Sequence, residues 1–111
     1  MSTRATSEIE FPAVERLIMV KHDAIQSAVV GAFLQMGLSV YDAAHAGRSF
    51  PDLVVGHAGV THLVELKTGK ALLTPGQIEF ASSWRGSKVV VLRSVAEAIE
   101  WACSIRRRRT A

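Results

Sequence analysis

The sequence predicts a mixed α/β (α+β) domain. A helix, three strands, a helix, a strand and a last helix follow one another around a mixed four-stranded sheet, in the order α-β-β-β-α-β-α. Three observations carry that expectation. Apolar residues recur at helical spacing through the first third of the chain. The period then shortens to two over three short segments, and a proline-led helix start separates these from a final apolar strand and helix. The 111 residues suffice for one compact domain, and an apolar content of 49% is ample for its core.

Residues 1–12 read as a polar lead-in, 13–105 as a single domain, and 106–111 as a solvated basic tail containing Arg106 to Arg109. From Ala13 to Met36, apolar positions such as Val14, Leu17, Ile25, Val29 and Phe33 fit one long helix. They fit equally two helices broken near His22, with Asp23 capping the second. Gly37 supplies a C-cap. Strands are expected at 38–41, 50–55 and 61–67, the last two joined as a hairpin through Gly56 to Gly59. Thr74 and Pro75 start a helix that runs to about Trp84. Residues 88–92 form a fourth strand, almost wholly apolar and so expected in the sheet interior. Ser94 and Glu97 form a capping box for a helix to about Ile105.

Cys103 is the single cysteine, which excludes an internal disulfide and suits a reducing cytosol. The first residues lack an apolar signal core, and Gln26, Ser27 and Gln35 interrupt the most apolar later stretch. No bilayer span and a cytoplasmic location are therefore expected. Charge is uneven: the first 55 residues carry four Lys/Arg against six acids, and the remainder nine against four. A basic half in a chain of pI about 9.5 suits a phosphate-bearing partner.

One constellation rises above ordinary fold chemistry: Pro51-Asp52, then Glu65-Leu66-Lys67. Along a strand Glu65 and Lys67 share a face while Leu66 turns to the core, and the hairpin brings Asp52 opposite them. Two carboxylates meeting at a strand end repel unless something positive sits between them. A hard cation such as Mg²⁺ accepts oxygen ligands of this kind, acidifies a bound water and shields an approaching phosphate. Lys67 would then orient the attacking water or steady the developing charge. Spacing alone leaves a plainer alternative, a turn aspartate and two solvated strand residues.

The pattern PD, twelve residues, then ELK resembles the PD-(D/E)XK nuclease superfamily. The wider stretch GRSFPDLVVG…THLVELKTGKALLTPGQIEF…WRGSKVVVLRSVAEA is similar to its small VRR-NUC branch, found alone in phage and prophage genomes and fused to larger repair nucleases. The resemblance spans residues 22–101. It implies a restriction-endonuclease-like core and a Mg²⁺- or Mn²⁺-dependent endonuclease that hydrolyses DNA, with structured or branched DNA as candidate substrates. It also implies Asp52, Glu65 and the backbone carbonyl of Leu66 as metal ligands, Lys67 as the residue on the catalytic-base side, and Gln77 completing the site. A phage-infected or bacterial cytoplasm would be its setting.

The sequence departs from that pattern on the first helix, where the family carries a glutamate. Counting back from Gly37 lands on Gln26, so Asp23, on the same face one turn earlier, is the candidate replacement and Glu15 a more distant one. A missing acid favours a one-metal mechanism.

Arg48, Lys70 and Arg85 are the loop cations best placed for phosphate contacts. His22 and His45 come next, whereas His57 and His62 read as surface residues and Trp84 and Trp101 as core. A nuclease this small has limited surface to hold a duplex, so a homodimer is expected, with Ala13 to Met19 as a contact face. Two rivals stand beside this reading. One is a non-catalytic nucleic-acid-binding module that keeps the fold, an option held open by Gln26. The other is an assembly protein whose basic tail contacts a polyanion.

Overall fold

The computed structural model describes residues 21–108. The lead-in, the first part of the predicted helix with its Ala13 to Met19 face, Glu15 and the end of the basic tail lie outside the described residues.

Among the described residues the first helix, α1, covers 21–35. His22 and Asp23 are both helical, so Asp23 lies inside the helix rather than capping it. Val29 and Phe33, four residues apart, are fully buried on its inner face. The helix stops in a Schellman motif: Leu38 N donates to Phe33 O and Gly37 N donates to Leu34 O, both at 3.0 Å. Gly37 takes φ +85°, a left-handed conformation that most side chains resist.

The strands are β1 (Ser39–Asp42), β2 (Leu53–His57), β3 (Val60–Leu66) and β4 (Val90–Leu92). They form one sheet in the order β1-β2-β3-β4. The first two pairings are antiparallel and β3–β4 is parallel. The second strand begins three residues later than the sequence suggests. Pro51 has no N–H to give a ladder, and Asp52 spends its side chain on the neighbouring strand. At the other end β2 reaches His57, because Ala58 and Gly59 alone make the turn; with φ +53° and +79°, this is a type I′ hairpin.

The fourth strand lies at an edge of the sheet, not in its interior. Its apolar residues serve packing instead: Leu92 and the preceding Val89 are buried, and Val90 lies against the core.

Leu53, Val55, Val64 and Leu66 alternate onto one sheet face. There they pack with Val29 and Phe33 of α1 and with Ala98, Ala102 and Ile105 of α3 (Val95–Arg108). Ser94 Oγ accepts from Glu97 N at 3.1 Å at the start of α3, while Glu97 Oε1 accepts from Arg93 N. The expected box is therefore shifted by one residue. The helix also runs through Arg108 rather than ending near Ile105. Three arginines in its last turn complement the negative end of the helix dipole. Trp101 is half-buried against Phe33, with ring centroids 5.6 Å apart.

Helix α2 (Pro75–Ser83) supplies the crossover from β3 to β4 and buries none of its residues. It is fixed at its ends. Thr74 caps it, Phe80 meets Phe50 edge-on at 5.4 Å, and Gly76 lies so close to Ser49 that a Cβ there would collide with the serine hydroxyl. Trp84 stacks on Phe80 but stays 43% exposed, so it is not the core residue expected.

Candidate functional site

The β2–β3 register pairs Leu53 with Val64, and one further step sets Asp52 opposite Glu65. Both acids lie at the end of the sheet where the core strands stop. Asp52 Oδ2 accepts a 2.8 Å hydrogen bond from Leu66 N, which fixes its carboxylate against the backbone of β3. Glu65 is only 5% exposed, so it is not a solvated strand residue. Its alternation turns it away from the main core, toward α2, where Gln77 Nε2 donates to Glu65 Oε2 at 3.0 Å.

The local sequence explains how Gln77 reaches so far. Gln77 Oε1 accepts from Thr74 N at 2.8 Å, and Thr74 Oγ1 accepts from Gln77 N at 3.2 Å, a complete capping box. With its oxygen held at the helix start, the amide group is left with its NH₂ aimed at Glu65.

The two acids meet. Burial and the negative charge of Asp52, together with a hydrogen bond between the two carboxyls, push the Glu65 carboxyl up to about 8. Lys67, half-buried and two residues along, acts in the opposite direction through its charge. Two carboxyls this close repel when both are ionised. Together with Leu66 O, they offer an all-oxygen donor set that suits a hard divalent cation. Among the described residues no three His, Cys, Asp or Glu side chains are gathered into a metal-binding group. Main-chain oxygen is thus needed to complete such a set.

The first helix brings His22, read from the sequence as a surface residue for phosphate contact, to the acids instead. His22 Nε2 lies 3.1 Å from Leu66 O and 3.6 Å from Asp52 Oδ2. Asp23, one residue on and about 100° around the helix, is exposed and lines a separate cleft with Asp42 and His45. Gln26, one turn beyond His22, is buried and lines that same cleft. A count back from Gly37 in search of a carboxylate could not find His22. Its i, i+4 relation to the buried Gln26 was the available signal.

Arg48, Lys70 and Arg85 are all exposed, on the loop before β2, the loop after β3 and the segment after α2. The second of these loops is strapped down by Arg93 Nη1, which donates to Gly69 O at 3.2 Å and Ala71 O at 2.6 Å. His57 and His62 sit at the opposite end of the sheet and are half-buried rather than on the surface. The His62 ring meets Trp101 edge-on at 5.2 Å, and burial, then Arg108 and His57, lowers its pKa.

A solved structure described as "VRR_NUC domain" matches this chain with a TM-score of 0.61 at 25% sequence identity, covering 78% of this chain and 95% of that one. The chain has a VRR-NUC-like nuclease fold. That VRR-NUC-like fold accounts for the mixed sheet with its parallel β3–β4 crossover. No family model matches the sequence, and no curated protein does. No helix among the described residues is long and apolar enough to cross a membrane.

Proposed function

We propose that this protein is a metal-dependent endonuclease of the PD-(D/E)XK type that hydrolyses phosphodiester bonds in DNA, structured or branched DNA included. One observation carries the reading: Asp52, just before β2, lies opposite Glu65 of β3 at a sheet end, with Leu66 N–H holding Asp52, Gln77 holding Glu65 and Lys67 two residues along. Asp52, Glu65 and Leu66 O would hold Mg²⁺ or Mn²⁺. Such an ion, when bound, acidifies a water and screens the phosphate charge.

The chain's own residues do the rest. Leu66 N–H fixes Asp52, so one carboxylate is preorganised before any ion arrives. Gln77 donates to Glu65 Oε2 and so orients the second carboxyl from the helix side. The Lys67 ammonium orients the attacking water or stabilises charge developing on the phosphate. Arg48, Lys70 and Arg85, exposed on surrounding loops, supply phosphate contacts that position the backbone of the nucleic acid. Pairing of two copies would give a surface wide enough for a duplex or a junction, and a bacterial or phage-infected cytoplasm would provide the substrate.

The test is calorimetric titration with Mn²⁺, followed by cleavage assays on linear, flapped, looped and four-way DNA. Wild type should bind the ion and cut; Asp52→Ala and Glu65→Ala should stay folded and do neither. Uptake of Mn²⁺ unchanged by both substitutions would overturn the assignment. Uptake without any cleavage would favour the non-catalytic binding module, which the exposed position of Asp23 on α1 keeps in view.

A further inference from the structure

We propose that His22 is a nitrogen ligand to the cation held by Asp52, Glu65 and Leu66 O, so that α1 contributes an imidazole to the site; this rests on the metal-dependent reading above. His22 Nε2 is 3.1 Å from Leu66 O and 3.6 Å from Asp52 Oδ2. Adjacent ligands of a six-coordinate ion with bonds of ~2.1 Å lie about 3 Å from each other. One ring nitrogen thus stands at ligand–ligand separation from one oxygen of the set and near that separation from another. It does so from a helix that otherwise turns no acid toward them among the described residues: Asp23 is exposed, and position 26 is a glutamine.

The present contacts suit that role. Without an ion, the Nε2–H of His22 donates to Leu66 O, the carbonyl assigned to the metal. To ligate, the ring would carry its proton on Nδ1 and give up the hydrogen bond to Leu66 O, so that the Nε2 lone pair could face the ion. His22, Asp52 and Glu65 are not gathered into a three-ligand group as they stand, so the ring would have to turn toward the acids to complete one.

A nitrogen ligand has a chemical consequence. Imidazole suits first-row transition ions better than it suits Mg²⁺ or Ca²⁺, so the site should prefer Mn²⁺ or Co²⁺ to Mg²⁺. His22→Ala should narrow that preference, weakening Mn²⁺ on the order of tenfold or more while touching Mg²⁺ less. His22→Asp should strengthen Mg²⁺ binding relative to wild type by putting an oxygen donor where the nitrogen stood.

The experiment is electron spin-echo spectroscopy of the full chain loaded with Mn²⁺ alone, beside calorimetry of wild type, His22→Ala, His22→Asp and Asp52→Ala. A ¹⁴N coupling on the bound Mn²⁺ in wild type, lost in His22→Ala, supports the assignment. The wild-type spectrum does not depend on how any variant folds. Mn²⁺ that needs Asp52 yet shows no nitrogen coupling would overturn this inference and leave the nuclease reading intact. Mn²⁺ whose binding is indifferent to Asp52 would overturn both.

Discussion

Gln77 Nε2 donates to Glu65 Oε2 at 3.0 Å while the same amide's oxygen accepts from Thr74 N. One side chain thus closes the first turn of α2 and orients the buried acid. The two jobs can be separated. Thr74→Ala should cost about 1 kcal/mol through the cap, leaving metal affinity nearly unchanged. Gln77→Glu retains an oxygen for Thr74 N but places a third carboxyl against Glu65 and Asp52. Its metal-free form should melt lower than that of Thr74→Ala. Thermal unfolding with and without Mn²⁺ checks both.

The acid pair makes the metal-free protein sensitive to alkali. The native Glu65 carboxyl keeps its proton up to about pH 8, whereas the unfolded chain releases it near 4.5. The native state therefore binds more protons between those values, and stability falls as pH rises from about 4.5 to about 8. Glu65→Gln can still accept from Gln77 and donate to Asp52 with no charge to bury. In chelator above pH 8 it should exceed wild type by about 1–3 kcal/mol. The difference between the two proteins, followed in urea across that range, should show this slope.

Divalent ions should reverse the same penalty. At a hundredfold excess over Kd, Mg²⁺ or Mn²⁺ should raise stability by about 2.7 kcal/mol, and chelation should remove the gain. Asp52→Asn keeps an acceptor for Leu66 N but loses one ligand charge, so its Tm should ignore added ion.

Lys67→Ala should lower cleavage by on the order of 10²–10⁴-fold with DNA affinity largely retained, as expected of a group acting on the reacting water or phosphate. Single-turnover cleavage beside a binding isotherm separates the two effects. Undiminished cutting would exclude that role.

Far from the acids, Ala58 adopts φ +53° in the hairpin turn, a conformation that suits asparagine better. Ala58→Asn should raise stability by about 0.5–1 kcal/mol and leave Mn²⁺ affinity unchanged. Denaturation midpoints and calorimetry would show this.

Much of this architecture is legible in the sequence because local chemistry and tertiary context agree. Gly37, Thr74-Pro75 and the β2–β3 alternation each state their role within a few residues, and the register that follows sets Asp52 opposite Glu65. The difficulties arise where distant contacts decide. An apolar run such as 89–92 reads the same at an edge as in the middle of a sheet. The placement of His22 follows from the rotation of α1 about its own axis, which core packing at Val29 and Phe33 sets. The extension of α3 through Arg108 reflects the charge at a helix end, which overrides the impression of a loose arginine tail.

Leu66 is 1% exposed and packs in the core, yet its N–H holds Asp52 and its carbonyl meets His22. Hydrophobic interior and reactive end are therefore welded at a single position. A methylene lost at Leu66, or at Val29 or Phe33 beneath it, would tilt the carbonyl as well as loosen the fold. Engineering this molecule for heat resistance by changing its interior would, at that point, also be retuning its chemistry.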